Sequence, residues 1–201
     1  MSTPFNKMLK LYLAGFRQTT EATCGPASVI LATQSLGLDI KQECEWRNSE
    51  FKPWMPVDQF MERGMALHEL EFISELIFVK QIDVKATRAY PENFPVFLKD
   101  IKTSFNKENS VVIVNYRQTD FIKHQGVDEN PHYSPLVAWD KDAQKICVAD
   151  VDPLVKEPYW VSIDDMFQSM SHSNFLYHLP RGWLVLYRRK SNLVCPGHSP
   201  D

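Results

Sequence analysis

Hydrophobic residues recur at helical spacing through much of the first half of the chain. An apolar face that runs from Val29 to Leu36 predicts a helix over residues 24–36, and Gly37 suits a left-handed stop. Comparable patterns predict further helices over residues 8–13, 56–64, 67–79, 92–105 and 162–170. The chain is therefore expected to be mainly helical up to about its midpoint.

Strand patterns are concentrated in the second half. Residues 110–116 contain a continuous run of β-branched residues, as expected for a central strand buried on both faces. Strands predicted over residues 132–139 and 145–151 flank residues 140–143, whose types are those of a tight turn. Two more strands are predicted over residues 82–86 and 183–187. Helices followed by strands, without an internal repeat, predict an α+β fold.

The remaining segments are predicted to be loops around one domain. Residues 39–56 hold two tryptophans and two prolines, so we expect packed loop with short helices, and the tail from Ser191 is expected to be loose. With 44% hydrophobic and 12% aromatic residues, the 201-residue chain can bury a substantial core. We expect a single domain over residues 1–201, with its core at about 16–189.

Charge and cysteine content exclude several classes of function. The 22 basic and 25 acidic residues give a net charge of -3, which provides no general attraction to nucleic acid or to anionic membranes. No apolar stretch is long enough to span a bilayer. The four cysteines form no CxxC pair, so neither a disulfide framework nor a metal site is predicted. A cytoplasmic location is the simplest expectation, with a secreted or periplasmic one if a signal segment has been removed.

Cys24 lies where the first long helix is predicted to begin. Pro26 suits the first turn of a helix, and a thiol at this end meets the helix's partial positive charge, which favours the nucleophilic thiolate. The amide of Gln18 would donate to the oxyanion formed on attack, beside the backbone N–H of Cys24. The alternative is a structural role, because free cysteine is among the most buried residue types.

The predicted hairpin supplies partners for this thiol. A turn centred near Lys141 places His132 opposite Asp150, where a carboxylate can hold an imidazole N–H and stabilise the imidazolium. Cys24, His132 and Asp150 then act as nucleophile, base and orienting acid, which is the logic of a papain-like cysteine enzyme. Each partner considered alone also has a structural interpretation: His132 as a hydrogen-bonded surface residue, and Asp150 as a residue that ends a strand. The competing histidines, which no evident turn places opposite a carboxylate, are His68, His124, His172, His178 and His198.

Several short motifs resemble the catalytic domain of the phytochelatin synthase family. They are Phe16 with Gln18, Cys24-Gly25 before a small-residue helix start, His132-Tyr133-Ser134-Pro135, Asp150-Val151 and Pro158-Tyr159-Trp160-Val161. The similarity runs from about residue 16 to residue 189, and the spacing between His132 and Asp150 agrees with the family.

The resemblance implies a papain-like fold in which a nucleophile helix packs on an antiparallel sheet. It further implies that Cys24 attacks the Cys–Gly carbonyl of glutathione and forms a γ-glutamylcysteinyl thioester. Transfer to water gives γ-glutamylcysteine, and transfer to a second glutathione gives a phytochelatin, the product that serves metal detoxification. No cofactor is required, although Cd or Zn can enter as a metal thiolate of glutathione. The oligomeric state stays open, with a homodimer among the alternatives.

Departures from the family pattern bear on the outcome of the reaction. Pro153 stands where the family commonly has an arginine that holds a substrate carboxylate, and Thr20 stands where it has an acidic residue, with Glu21 one step closer to the cysteine. Pro131 replaces a glycine before the histidine, and no Cys-rich C-terminal region is present. These changes affect recognition of acceptor and carboxylate more than acylation, so we expect hydrolysis to dominate.

Substrate contacts and alternative functions are less specific. Glu21, Arg117, Lys123 and Arg181 are the candidate substrate contacts, the three cations because they suit the carboxylates of glutathione. A protease or deamidase acting on a protein is the second hypothesis, since it would keep the same triad. A thiolate metal binder without enzymatic activity is the third, and the scattered spacing of cysteines and histidines counts against it.

Overall fold

The computed structural model describes residues 3–38, 43–47, 56–79, 81–123, 131–174 and 177–189. Its helices are α1 (Pro4–Leu13), α2 (Cys24–Ser35), α3 (Glu43–Arg47), α4 (Val57–Arg63), α5 (Leu67–Ile77), α6 (Phe94–Lys107) and α7 (Ile163–Ser171). Its strands are β1 (Ile82–Arg88), β2 (Ser110–Arg117), β3 (Pro131–Asp140), β4 (Lys145–Val148), β5 (Tyr159–Ser162) and β6 (Gly182–Arg188). Short 3-10 helices lie at Pro91–Asn93 and Gln118–Asp120. The predicted loose tail lies outside the described residues.

The six strands form an antiparallel sheet in the order β1-β6-β2-β3-β4-β5. β2 lies inside the sheet, and its residues 110–116 are all buried, which confirms the predicted central strand. Its side chains alternate between two cores: Val111 and Ile113 pack on one face, and Val112 and Val114 pack on the other.

Helices cover both faces of this sheet. Residues of α1, α2 and α5 share a core with Val111 and Ile113, whereas residues of α6 and α7 share the second core with Val112 and Val114. The predicted α+β class is confirmed, with α2 packed on the sheet as expected. The packing of α6 and α7 on the second face of the sheet was not predicted.

α2 is buried almost throughout, with eleven of its twelve residues in the buried class. Its side-chain hydroxyls are satisfied locally: Thr33 Oγ1 donates to the carbonyl of Val29 at 2.8 Å, and Ser35 Oγ donates to that of Ala32 at 2.7 Å. Gly37 follows with φ at +76°, so the predicted left-handed stop is confirmed. A helix this deeply buried fixes the position of its first residue.

The segment over residues 39–56 is described only in part. The described portion is α3, in which Trp46 is fully buried, as expected for a packed region with short helices. Glu43 accepts hydrogen bonds from the backbone N–H and the hydroxyl of Thr19, which anchors α3 to the loop before α2. No helix among the described ranges has the length and apolar content needed to cross a membrane.

The hairpin of β3 and β4 differs from its prediction. β4 ends three residues early, and a bulge between Leu136 and Ala138 shifts the register. His132 pairs with Tyr116 of β2, on the other side of β3, and Asp150 lies in the loop after β4. The predicted cross-strand pairing of His132 with Asp150 is wrong, because the turn lies between Asp140 and Lys145, which pair with each other, and is not centred near Lys141. Residues of β3 therefore face residues of β4 two or three positions later than predicted.

β5 is absent from the sequence prediction. The strand has only four residues and forms an edge of the sheet, where Trp160 is half exposed. A short, half-exposed edge strand shows no clear alternation of apolar and polar residues. It nonetheless pairs Tyr159 with Val148 and so brings the tyrosine towards the loop that holds Asp150.

Gly182 provides a test of the sheet packing. A Cβ at this position would lie 2.0 Å from the carbonyl oxygen of Thr87 on the neighbouring strand, so Gly182→Ala forces β1 and β6 apart. We expect the free energy of unfolding in urea to fall by about 3 kcal/mol or more. Gly37→Ala is the comparison, because it places a side chain at positive φ and should cost only about 1–2 kcal/mol. Equal losses in the two variants would contradict the close approach.

Candidate active site

α2 begins at Cys24, as the sequence predicts, and its first turn packs tightly against the sheet and α5. A Cβ on Gly25 would lie 3.1 Å from a methyl of Leu70 and 3.5 Å from the ring of Tyr133, so glycine permits this approach. Ser28, one turn further on, donates its hydroxyl to the carbonyl of Tyr133 at 2.9 Å. The start of the helix is thereby held beside the strand residue that follows His132.

His132 is buried between Cys24 and Asp150. Its Nε2 lies 2.7 Å from Oδ1 of Asp150, and the two side chains are only 2% and 0% exposed. At this separation the carboxylate and the imidazole are in direct contact, and charge attraction contributes to it. Cys24 lies within hydrogen-bonding reach of the same imidazole. The structure therefore brings the three predicted residues together, although by a different route from the predicted strand pairing.

The carboxylate of Asp150 is surrounded by hydrogen-bond donors. Its Oδ2 accepts bonds from the hydroxyls of Tyr116 and Tyr159 and from Nε2 of Gln118, each at 2.9 Å. Its Oδ1 accepts the backbone N–H of Asp152 at 3.0 Å in addition to the contact with His132. Donors at both oxygens favour the ionised form of the acid.

Burial and charge act in opposite directions on this pair. Burial disfavours the ionised form of Asp150, but the charge of His132 and the surrounding donors outweigh it and hold the pKa of the carboxyl well below its usual range. Burial likewise disfavours the imidazolium, and Asp150 together with Cys24 raises the pKa of His132 well above its usual value. The arrangement therefore favours a carboxylate next to an imidazolium.

The two tyrosines remain donors in this environment. Burial, followed by the charge of Asp150, raises the pKa of Tyr116 and of Tyr159 well above that of an exposed tyrosine. Their hydroxyl oxygens lie 2.7 Å apart. Sequence analysis does not predict that these two residues or Gln118 donate hydrogen bonds to the acid. For Tyr116, its position opposite His132 on β2 provides a signal only once the register is known.

Gln18, the predicted oxyanion donor, lies in the loop before α2. Its backbone N–H donates to the carbonyl of Val151 at 2.9 Å, which ties this loop to the one that carries Asp150. Its side chain is buried, with Nε2 3.4 Å from the carbonyl of Glu21. The position beside both loops is compatible with the predicted role, which stays a prediction.

A cleft of about 210 Å³ opens at Cys24. The described residues that line it are Glu21, Ala22, Cys24, Glu62, Arg63, Gly64, Met65, Asn115, Pro131, Tyr133 and Asn174. Cys24 is only 6% exposed, and this cleft is where its side chain meets open space. Glu21 is the one predicted substrate contact among the described lining residues.

The three predicted cationic contacts lie elsewhere. Arg117 pairs with Asp120, with 2.7 Å between Nε and Oδ1. Arg181 is 1% exposed and donates to the carbonyl of His172 at 3.1 Å. Lys123 is exposed at the end of a described segment. The structure does not bring these cations to the described cleft: Arg117 is engaged in an ion pair, and Arg181 makes a buried contact.

The remaining described cysteines are free thiols away from the cleft. Cys147 is buried in β4, and this burial raises the pKa of its thiol to about 11. Cys44 is exposed on α3. Within the described ranges, no group of three or more His, Cys, Asp and Glu side chains is arranged to hold a metal ion.

A sequence profile of phytochelatin synthase matches residues 2–183 of this chain. The chain belongs to the phytochelatin synthase family. A relative in Schizosaccharomyces pombe, named glutathione gamma-glutamylcysteinyltransferase, is 24% identical over 181 residues. That alignment covers 84% of this phytochelatin synthase family member and 40% of the relative, so the chain spans about two fifths of the relative's length.

The fold of this phytochelatin synthase family member is also found in a protein of known structure. The crystal structure of a C39-like peptidase from Bacillus anthracis matches 87% of this chain and 94% of its own, with a TM-score of 0.50 and 11% sequence identity. The likeness concerns the fold alone, and it confirms the predicted papain-like architecture.

The ion pair of this family member predicts a pH-dependent stability. Folding lowers the pKa of Asp150. Its contribution to the free energy of unfolding is therefore present above about pH 4 and is lost as the pH falls towards the pKa of the folded state. Folding raises the pKa of His132. Its contribution to the free energy of unfolding is therefore present below about pH 6.5 and is lost as the pH rises through the pKa of the folded state. We therefore expect His132→Gln to lose more unfolding free energy at pH 5 than at pH 9, measured in urea.

The control for this comparison is His68→Gln, which removes an exposed histidine. It should show little difference between the two pH values. A loss in His132→Gln that is the same at pH 5 and pH 9 would contradict the charged pair.

Proposed function

We propose that this protein cleaves the Cys–Gly bond of glutathione through a γ-glutamylcysteinyl thioester on Cys24. The observation that carries the proposal is one buried imidazole, that of His132, 2.7 Å from Asp150 and within reach of Cys24 at the start of α2. Membership of the phytochelatin synthase family supplies the substrate class, and the named relative is a transferase of glutathione.

In the first half of the reaction, the Cys24 thiolate attacks the carbonyl carbon between cysteine and glycine. A sulfur–carbon bond forms, and the negative charge on oxygen is stabilised by the backbone N–H of Cys24 and the amide of Gln18. The carbon–nitrogen bond then breaks as the His132 imidazolium gives its proton to the departing glycine amine. The product is the thioester, and His132 is left neutral.

In the second half, His132 acts as a base. It takes a proton from water, or from the amine of a second glutathione, as that acceptor attacks the thioester carbonyl. The sulfur–carbon bond breaks, and Cys24 leaves as a thiolate beside the renewed imidazolium. Asp150 stabilises that imidazolium at the end of each cycle, because its charge and orientation are fixed by the donors around it.

We infer that hydrolysis to γ-glutamylcysteine dominates over transfer to glutathione. The departures at Thr20, Pro131 and Pro153 affect positions that the resemblance assigns to recognition of the acceptor and of carboxylates. Cd²⁺ or Zn²⁺ would take part as a metal thiolate of the acceptor glutathione, a substrate, and the triad chemistry itself requires no resident cofactor.

A protease or deamidase that acts on a protein is the second candidate. It is supported by the peptidase fold, since the C39-like peptidase shares the architecture over most of both chains. The same three residues would serve either substrate. A protein that is cleaved or deamidated while glutathione is left intact would favour this candidate.

Cys24→Ala tests the nucleophile. We expect the rate of glycine release from glutathione to fall by about 10³-fold or more, because within the described part of the chain Cys24 is the thiol that acts on His132. Mass spectrometry of the wild type after rapid quenching should show one added γ-glutamylcysteinyl group on Cys24. Cys44→Ala is the matched control, since it removes an exposed thiol outside the site. Glycine release that survives in Cys24→Ala would remove this residue from the mechanism.

Asp150→Asn tests the orienting acid. Three donors converge on Oδ2, so an amide must either turn its NH₂ group towards those donors or towards His132. We expect kcat/KM for glycine release to fall by about 10²-fold to 10⁴-fold. Without the carboxylate charge the pKa of His132 falls, so the alkaline limb of the pH profile should move to lower pH.

Asp142→Asn is the control for that variant, because Asp142 lies exposed in the turn after β3. Its pH profile should match that of the wild type. An Asp150→Asn enzyme with an unmoved alkaline limb would show that the carboxylate charge does not act on His132.

A further inference from the structure

Arg63 is the only cation among the described residues that line the cleft at Cys24. It is the last residue of α4 and precedes Gly64, whose φ of +82° turns the chain towards α5. Its side chain is 33% exposed, so it is accessible from the cleft. Sequence patterning did not single it out, because an arginine at the end of a short helix is common on protein surfaces.

The guanidinium of Arg63 is held in one orientation. Its Nη2 lies 2.7 Å from Oε1 of Glu69, and its Nη1 donates to Oε2 of Glu69 at 3.1 Å and to the carbonyl of Gly64 at 3.0 Å. The Cζ atom lies 4.8 Å from the centre of the Phe60 ring. A group fixed in this way loses little side-chain entropy when it binds a further partner.

The charge of Glu69 is shared among several other donors. Its Oε2 accepts the backbone N–H of Ala66 at 2.8 Å, and its Oε1 accepts the hydroxyl of Tyr177 at 2.8 Å. Glu69 also lies in the first turn of α5, where the partial positive charge of the helix end stabilises an anion. Glu69 therefore orients Arg63 without cancelling its charge completely.

One edge of the guanidinium remains for a further acceptor. The contacts with Glu69 and Gly64 use three of its five N–H groups, and the Tyr177 hydroxyl that bonds to Glu69 is also within hydrogen-bonding reach of the guanidinium. The N–H of Nε and the second N–H of Nη2 take no part in those three hydrogen bonds, and these two point in parallel along one side of the planar group. Paired parallel donors of this kind match the two oxygens of a carboxylate.

We propose that Arg63 binds a carboxylate of the substrate and so sets the specificity of the cleft for acidic peptides. This inference rests on the proposed function, and it names the residue that recognises one of the two carboxylates of glutathione. Glu21 and Glu62, both exposed, line the same cleft and provide negative charge for the ammonium group of a γ-glutamyl residue. The cleft therefore presents both signs of charge to a zwitterionic peptide.

The test compares glutathione with two analogues, one amidated at the glycine carboxyl and one at the α-carboxyl of the γ-glutamyl residue. Cleavage of the Cys–Gly bond is followed by mass spectrometry in the wild type and in Arg63→Gln. We expect the wild type to prefer glutathione by about 10-fold to 100-fold in kcat/KM over the analogue that lacks the bound carboxylate. Arg63→Gln should reduce that one preference to within about 3-fold, mainly through KM.

Two further variants keep the result interpretable. Arg63→Lys keeps the charge but lacks the parallel donors, so it should recover only part of the preference. Arg189→Gln removes an arginine that is also paired with an acid, Asp83, but lies outside the cleft, and it should behave as the wild type. Because each preference is a ratio measured on one preparation, a partly unfolded variant does not distort it.

The outcomes separate the two proposals. Arg63→Gln that keeps the wild-type preference over both amides, or a wild type that has no preference over either, would overturn the role of Arg63 while glutathione cleavage stands. A wild type that cleaves neither glutathione nor its amides would overturn the proposed function and this inference with it. Loss of one preference alone in Arg63→Gln identifies which carboxylate the guanidinium binds.

Discussion

The buried carboxylate of Asp150 is the constraint on which the structure of the site depends. An unpaired charge in a protein core costs several kcal/mol, so the surrounding elements must supply partners. The side-chain partners come from four places: His132 on β3, Tyr116 on β2, Tyr159 on β5 and Gln118 in the 3-10 helix after β2. The requirement to ionise one acid thus links the centre of the sheet to its edge.

The nucleophile belongs to the other layer of the molecule. Cys24 is carried by a helix that is buried on nearly all sides, and that helix is attached to the sheet by the bond from Ser28 to Tyr133. Gly25 allows the backbone of the first turn to approach the sheet closely. The relative position of sulfur and imidazole is therefore set by packing between two rigid elements, which is how sites with precise geometry are usually supported.

Patterns with a regular period could be predicted from the sequence, and features that depend on tertiary approach could not. The helix at Cys24, its stop at Gly37 and the buried strand β2 follow from local spacing and composition. The contact of Asp150 with His132 is predicted for a wrong reason, since the hairpin turn lies further along the chain than expected and the loop after β4 brings the acid back to the imidazole. Gln118 and Arg63 lie in or next to irregular segments, where no period indicates which side chain will meet the site.

The bond between Ser28 and Tyr133 joins residues that are 105 positions apart. A contact between residues so far apart in the sequence requires a large loop to close, and the entropic cost of that closure precedes any favourable free energy from the contact. Such contacts therefore form slowly during folding. A chain emerging from the ribosome therefore exposes its helix with the cysteine well before the histidine and the aspartate have been synthesised. The proposed catalytic pair exists only after the last strands are in place, so partly synthesised or partly folded chains carry the thiol without its base.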